Sequence, residues 1–293
     1  MDWFEFPEME RETLRDIRKG IDSSFRDFTR EYGEFIENLF YPVKWFLFKF
    51  ESLLLGTPWP IVLAVLCGLV FLASRRPLLT IGTLITMCII GYFHMWEDAM
   101  KTLAMILTAT ITCVVFGIPI GIFMSRSKRV QSIVTPILDF MQTVPSFVYL
   151  IPVIMLFGIG KLPGIIAVII YAIPPVIRLT DLGIRLVDRE ILEAADAFGS
   201  SQLKRLTNVQ IPLALPTIMA GINQTIMMAL AMVVVAALVG APGLGQPVLK
   251  AINNQFLFMG LSAGAAIAAL AIIIDRATQA YGNRMQQHRE KGH

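Results

Sequence analysis

The sequence predicts an all-α membrane protein with about seven transmembrane helices and an amphipathic N-terminal segment. Three observations predict it. Hydrophobic residues make up 55% of the 293 and charged residues only 16%, which is more apolar surface than a soluble core of this size hides. The apolar residues fall into seven runs of about the length a membrane helix needs. The lysines and arginines collect in alternate loops between those runs.

A helix rising ~1.5 Å per residue needs about 20 residues to cross ~30 Å of hydrocarbon. The runs lie roughly at 57–74, 78–96, 102–124, 144–157, 163–177, 217–239 and 256–274. The fourth and fifth are short and proline-rich, which leaves tilted, broken or lengthened helices, and six or eight spans, open. Ahead of them, residues 1–56 carry eight basic and twelve acidic side chains and read as an external tail. The opening stretch is acidic and mixed where a cleavable signal has a basic region followed by an apolar one, so the N-terminus is expected to be retained. Near the end of the tail, "EFIENLFYPVKWFLFKFESLLLG" alternates aromatic and leucine residues with Glu34, Glu37, Lys44, Lys49 and Glu51. Two readings of this stretch stand: a helix lying in the outer interface with Trp45 dipping inward, or a tail packed on the protein's own spans. The transmembrane part covers 57–281, with a cytoplasmic loop at 178–213, and 282–293 form a basic tail.

Seven spans put the two ends on opposite sides of the membrane, and basic residues decide which is which. One set of loops holds Arg75, Arg76, Arg126, Lys128, Arg129, Arg178, Arg185, Arg189, Lys204 and Arg205, followed by Arg276, Arg284, Arg289 and Lys291. The opposite set holds Lys101, Lys161 and Lys250. The C-terminus is therefore expected in the cytoplasm and the N-terminus outside.

Other classes are disfavoured by what the spans lack. The net charge of +3 is small and scattered, so no nucleic-acid partner is implied. Between their ends the seven runs contain no Asp, Glu, Lys or Arg, which argues against proton coupling. No nucleophile–base pair or ligand cluster is available, so we expect neither catalytic nor metal-binding residues and no enzymatic activity in this chain. Cys67, Cys88 and Cys113 read as small packing residues, and Glu97 and Asp98 as a solvated loop end. "GAPGLG" at 240–245 has no Lys-Ser/Thr partner of a phosphate loop, so any ATP is bound by another subunit. Prolines and glycines inside the spans, among them Gly117, Gly121, Gly221, Pro174 and Pro175, permit kinks or close helix approach.

The polar interval after the fifth run has its own logic. "DREILEAADAFG" reads as a short helix with an apolar stripe of Ile191, Leu192, Ala195 and Phe198, stopped by Gly199 in the left-handed conformation. A second helix restarts at Ser200 or Ser201 as N-cap and runs until Pro212 and Pro216 break it. Glu193-Ala194-Ala195, three residues, Gly199, nine residues and Val209-Gln210-Ile211-Pro212 resemble the E-A-A-x3-G-x9-I-x-L-P signature of permease subunits of binding-protein-dependent ABC importers, with Val and Ile in place of Ile and Leu. Over about residues 50–281, the stretches "LDFMQTVPSFVYLIPVIMLFGIGKLPGIIAVIIYAIPPVIRLT" and "IMAGINQTIMMALAMVVVAALVGAPGLGQPVLKAI" are similar to the glycine betaine/proline betaine permeases.

That resemblance implies a type I ABC importer permease fold and a set of partners: a second copy, ABC ATPase subunits, an external solute-binding protein and membrane lipid. It implies no cofactor in this chain, with ATP and Mg on the ATPase. It also assigns coupling to the ATPase to Glu193, Ala194, Ala195, Gly199 and Pro212, and a small quaternary amine as cargo. For the translocation path the spans offer Pro145, Tyr149, Tyr171, Asn223 and Gln224. Permeases for methionine or a sulfonate share the coupling signature. A stand-alone carrier or channel, or a membrane scaffold, are the readings from other classes.

Overall fold

The computed structural model describes residues 8–290, with side chains through 282. The first seven residues of the tail, 291–293 and the side chains of the basic tail, including Arg284, Arg289 and Lys291, lie outside the described residues. Among the described residues the chain is helical with no strand: α1 (Arg11–Gly56), α2 (Trp59–Ser74), α3 (Pro77–Tyr92), α4 (Trp96–Arg126), α5 (Lys128–Thr143), α6 (Ser146–Phe157) and α7 (Lys161–Arg185). There follow α8 (Arg189–Ala197), α9 (Gln202–Arg205), a π-helical turn (Leu206–Gln210), α10 (Ile211–Ala231), α11 (Val233–Leu238), α12 (Gly245–Asn254) and α13 (Leu257–Glu290).

Every predicted run is helical, but not every run crosses by itself. Four stretches among the described residues are long and apolar enough: Trp96–Arg126, Lys161–Arg185, Gln202–Leu238 and Leu257–Gly282. The total reaches six if two bent pairs count as spans, α1 with α2 at 113° and α5 with α6 at 99°. At 16 residues, α3 rises about 24 Å, short of a full ~30 Å core. The expectation of about seven spans thus becomes four full spans, two broken ones and one short helix.

Boundaries moved for identifiable reasons. Residues 128–143, expected as loop, form α5, whose exposed Ile133, Ile137 and Phe140 make an apolar stripe on a half-polar helix. Pro174 and Pro175 do not shorten the fifth run. They are buried inside an unbroken α7 that continues through Arg178, Asp181 and Arg185. Pro212 and Pro216 do not end a helix either: the wide turn Leu206–Gln210 leads into Pro212 in the first turn of α10, where a missing N–H costs little, and Pro216 lies within α10.

The core is built by α4, α7 and α10. Close approach explains its glycines: a Cβ on Gly117 would stand 2.4 Å from Val176 Cγ1, and one on Gly121 would stand 2.6 Å from Thr180 Cβ. Small residues at these positions let α4 lie directly on α7. Cys113 is buried in the same seam, its thiol donating to the Ile169 carbonyl at 3.8 Å.

The second half of α1 packs on this bundle through Phe40, Val43, Leu47, Phe50 and Leu54. Phe40 meets Phe157 edge-on at 5.8 Å. Glu51, 7% exposed, pairs with Lys161 at 2.7 Å, and that ammonium sits 4.7 Å from the Phe48 ring. One face of this stretch thus packs on the protein's own spans, while Phe35, Leu39, Tyr41 and Trp45 stay exposed on the other.

Candidate functional site

One end of the bundle begins where α7 outruns its apolar run. With 3.6 residues per turn, Ile177, Asp181 and Ile184 share one buried face. Asp181 accepts from Arg185 Nε at 2.7 Å and from Gln131 Nε2 at 3.3 Å. Arg185 also donates to the Met124 carbonyl at 2.6 Å. One carboxylate and one guanidinium therefore tie the end of α4, α5 and α7 together, and Arg178 adds a pair with Asp139 of α5. The sequence reading ended the fifth run at residue 177 and gave these charges to the loop, so the cluster they form was not foreseen. Its signal was the i, i+4 spacing of Asp181 and Arg185 continuing the helical phase of the apolar run.

Three residues on, Asp188 caps α8 by accepting from Glu190 N at 2.9 Å. The helix stops at Gly199, with φ of 76°, as expected. Gly199 N donates to Asp196 O at 2.9 Å and Ser200 N to Ala195 O at 3.1 Å, which consumes the last carbonyls of the helix. Of the two N-cap candidates, Ser201 takes the role, accepting from Lys204 N at 3.4 Å. Two bonds hold the second arm: Arg205 pairs with Asp196 across the turn, and Arg126 Nη2 donates to Gln202 O at 3.2 Å.

One hydrogen bond thus ties the helical hairpin to α4, and α8 buries no residue. Phe198 is 92% exposed, and Ile191 and Leu203 also face outward. Glu193, Ala194, Ala195 and Gly199 sit together on this hairpin, Glu193 spanning to Arg189 at 3.0 Å on its own helix. Pro212 lies apart from them, past the π turn.

The path residues fall into two places. Pro145 is the N-cap of α6 at the sharp bend after α5. Tyr149 is buried there, its hydroxyl shared between the carbonyls of Val144, at 2.6 Å, and Met141, so that it staples the bend. Tyr171 is half-buried on α7. Asn223 is elsewhere: its Nδ2 donates to Asp275 Oδ1 of α13 at 2.7 Å, while Gln224, one position on, is exposed. Asp275 lies inside the apolar stretch Leu257–Gly282 and also accepts from Gln279 at 2.7 Å. It stands one residue past the last apolar run, 256–274.

At the opposite end, "GAPGLG" is a structural clasp. Thr102 Oγ1, fully buried, accepts from Leu244 N at 2.8 Å, and Gly160 N donates to Val239 O at 2.8 Å. Gln246 donates to the carbonyls of Ala237 and Ala241 at 3.2 and 3.0 Å. Glu97 and Asp98 are not in a loop: they occupy the first turn of α4, 3.5 and 3.8 Å from Lys101. No group of three or more metal-ligating side chains is present among the described residues.

Residues 114–287 match the family described as binding-protein-dependent transport system inner membrane component. The chain is similar to the glycine betaine/proline betaine transport system permease protein ProW of Escherichia coli strain K12, 47% identical over 241 residues that cover 82% of this chain and 68% of the relative. It is similar to the glycine betaine transport system permease protein OpuAB of Bacillus subtilis strain 168, 52% identical over 197 residues, 67% of this chain and 70% of the relative. Among solved structures, an inward-facing MetNI methionine ABC transporter shares the fold, with a TM-score of 0.55 at 21% identity over 66% of this chain and 95% of that one.

Proposed function

The chain belongs to the family of inner-membrane components of binding-protein-dependent transport systems, and from that premise we propose that it is the permease subunit of an ATP-driven importer of a small methylated amine such as glycine betaine, with choline and trimethylamine N-oxide as close alternatives. It is a transport subunit and not an enzyme. The observation that carries the cargo class is near-half identity, over most of the chain, to two permeases named for glycine betaine.

In this reading ATP and Mg are held by separate ATPase subunits, and α8 is the part of the chain they grip. The exposed apolar side chains at Ile191, Phe198 and Leu203 supply a surface for another protein. Displacement of α8 would reach the bundle by two routes: α7 leads into it through three residues, and Arg126 ties the second arm to α4. Because α4 and α7 touch along their glycine seam, they have little slack between them and move as a unit. A second copy of the chain would complete the path, the inner ends opening as the outer ends close.

A solute-binding protein would dock on the outer side, near Glu97, Asp98, Lys161 and residues 241–256. A methylated ammonium has no N–H to donate, so a site that selects it relies on aromatic faces and desolvation. That selection belongs mainly on the binding protein, because a permease that held the solute tightly would slow its release.

Uptake of labelled glycine betaine into vesicles holding the chain, its ATPase and its binding protein tests the proposal. Import that needs ATP and is competed by choline or the N-oxide is expected. Import of methionine or a sulfonate with no competition by these amines would defeat the cargo assignment. The orientation, N-terminus outside and C-terminus cytoplasmic, is tested by Gly20→Cys, a position where a side chain meets nothing within 4 Å. An impermeant thiol reagent should label it in cells with a permeabilised outer membrane, and labelling only after lysis would invert the topology.

A further inference from the structure

Helices α3 and α13 run antiparallel and leave between them an outward-facing groove of about 630 Å3. Its length is hydrocarbon and small residues, with Leu79, Gly82 and Thr86 from α3 and Ile272 from α13. Arg76, just before α3, and Arg276, late in α13, stand at one end. Among the described residues their guanidinium groups make no ion pair or hydrogen bond, whereas Arg126, Arg178, Arg185 and Arg205 are each engaged. The neighbouring Asp275 directs its Oδ1 to Asn223 and Gln279 and makes no ion pair with either arginine among the described residues.

These features fit one occupant. From Arg76 to Thr86 is ten residues of helix, about 15 Å, which is half of a ~30 Å hydrocarbon layer. The groove therefore has one leaflet's depth, with its polar end at the interface. Two unpaired arginines at that end match a phosphate diester, whose oxygens take paired N–H bonds from a guanidinium. A fatty-acyl chain matches the rest.

We infer that this groove is a binding site for an anionic phospholipid, its phosphate between Arg76 and Arg276 and an acyl chain laid over Gly82. The leaflet is the cytoplasmic one, where anionic lipids attract basic groups, and that assignment rests on the orientation proposed above. The lipid chemistry does not depend on it: an inverted topology would move the site to the other leaflet and leave its preference unchanged.

The test is retention of added phosphatidylglycerol against phosphatidylcholine of equal chain length by the full chain in detergent, read by native mass spectrometry. Wild type is expected to retain phosphatidylglycerol in preference by about tenfold. The pair Arg76→Gln and Arg276→Gln, both exposed and unpaired, should lose the preference without a shift in thermal midpoint. Gly82→Trp fills open space, since a Cβ there meets nothing within 4 Å, and should lose retention of both lipids. Equal retention of the two lipids by wild type, or an unchanged preference in the arginine pair, would overturn the site. A disulfide between two chains through Gly82→Cys would overturn it as well, by giving the groove to a second copy.

Discussion

The two ends of the bundle are built in opposite ways. At one end, Thr102, Leu244, Gly160 and Val239 close a clasp whose polar groups find partners within the chain and whose apolar groups are buried. At the other end, α8 is capped at both termini and paired through Asp196 with Arg205 of the second arm, yet Phe198 beside it is almost completely exposed. A segment that buries nothing contributes little to the stability of its own fold. The clasp end is held together by bonds within the chain, while the hairpin leaves its apolar side chains exposed. Substitutions should therefore lower stability first at the clasp and lower transport first at the hairpin.

The largest loss of stability is expected for Gly243→Val. At φ of 130° a β-branched residue is strained, and its Cβ would stand 2.5 Å from Thr102 Oγ1. Together these cost about 3 kcal/mol or more, read as a fall in thermal midpoint in detergent. Next comes Thr102→Val, which keeps the shape but leaves the buried Leu244 N–H without its acceptor, at about 1–3 kcal/mol. Gly199→Leu should cost about 1–2 kcal/mol for the left-handed turn, because nothing lies within 4 Å of its Cβ, yet abolish most uptake while ATP hydrolysis continues. Uptake at the wild-type rate would remove Gly199 from coupling. Smallest is Phe198→Ser, within about 0.5 kcal/mol of wild type in stability but clearly slower in uptake. A midpoint shift as large as that of Thr102→Val would break the comparison.

What the sequence made legible was local. Gly199, the N-cap serine and the stripe of α8 follow from a few adjacent residues, and the glycines of the α4–α7 seam from the requirement for close approach. What it hid was distant in the chain. Thr102 and Leu244 are 142 positions apart, and Gln131 and Asp181 are 50 apart, so neither pair leaves a local pattern. The α5 helix escaped because basic residues in its first turn look like loop when counted for charge, although Ile133, Ile137 and Phe140 keep helical spacing. Tyr149 drew notice as an aromatic contact, and its fold role appears only once the bend brings two carbonyls to its hydroxyl.

The central claim is that α8 is a surface completed by another subunit, and Phe198→Cys tests it most directly. In the isolated chain this side chain is 92% exposed, so a maleimide should label the cysteine rapidly. In the complex assembled with its ATPase, the account predicts that labelling is strongly suppressed and returns when the ATPase is stripped away. Equal labelling of the isolated chain and the assembled complex would contradict it.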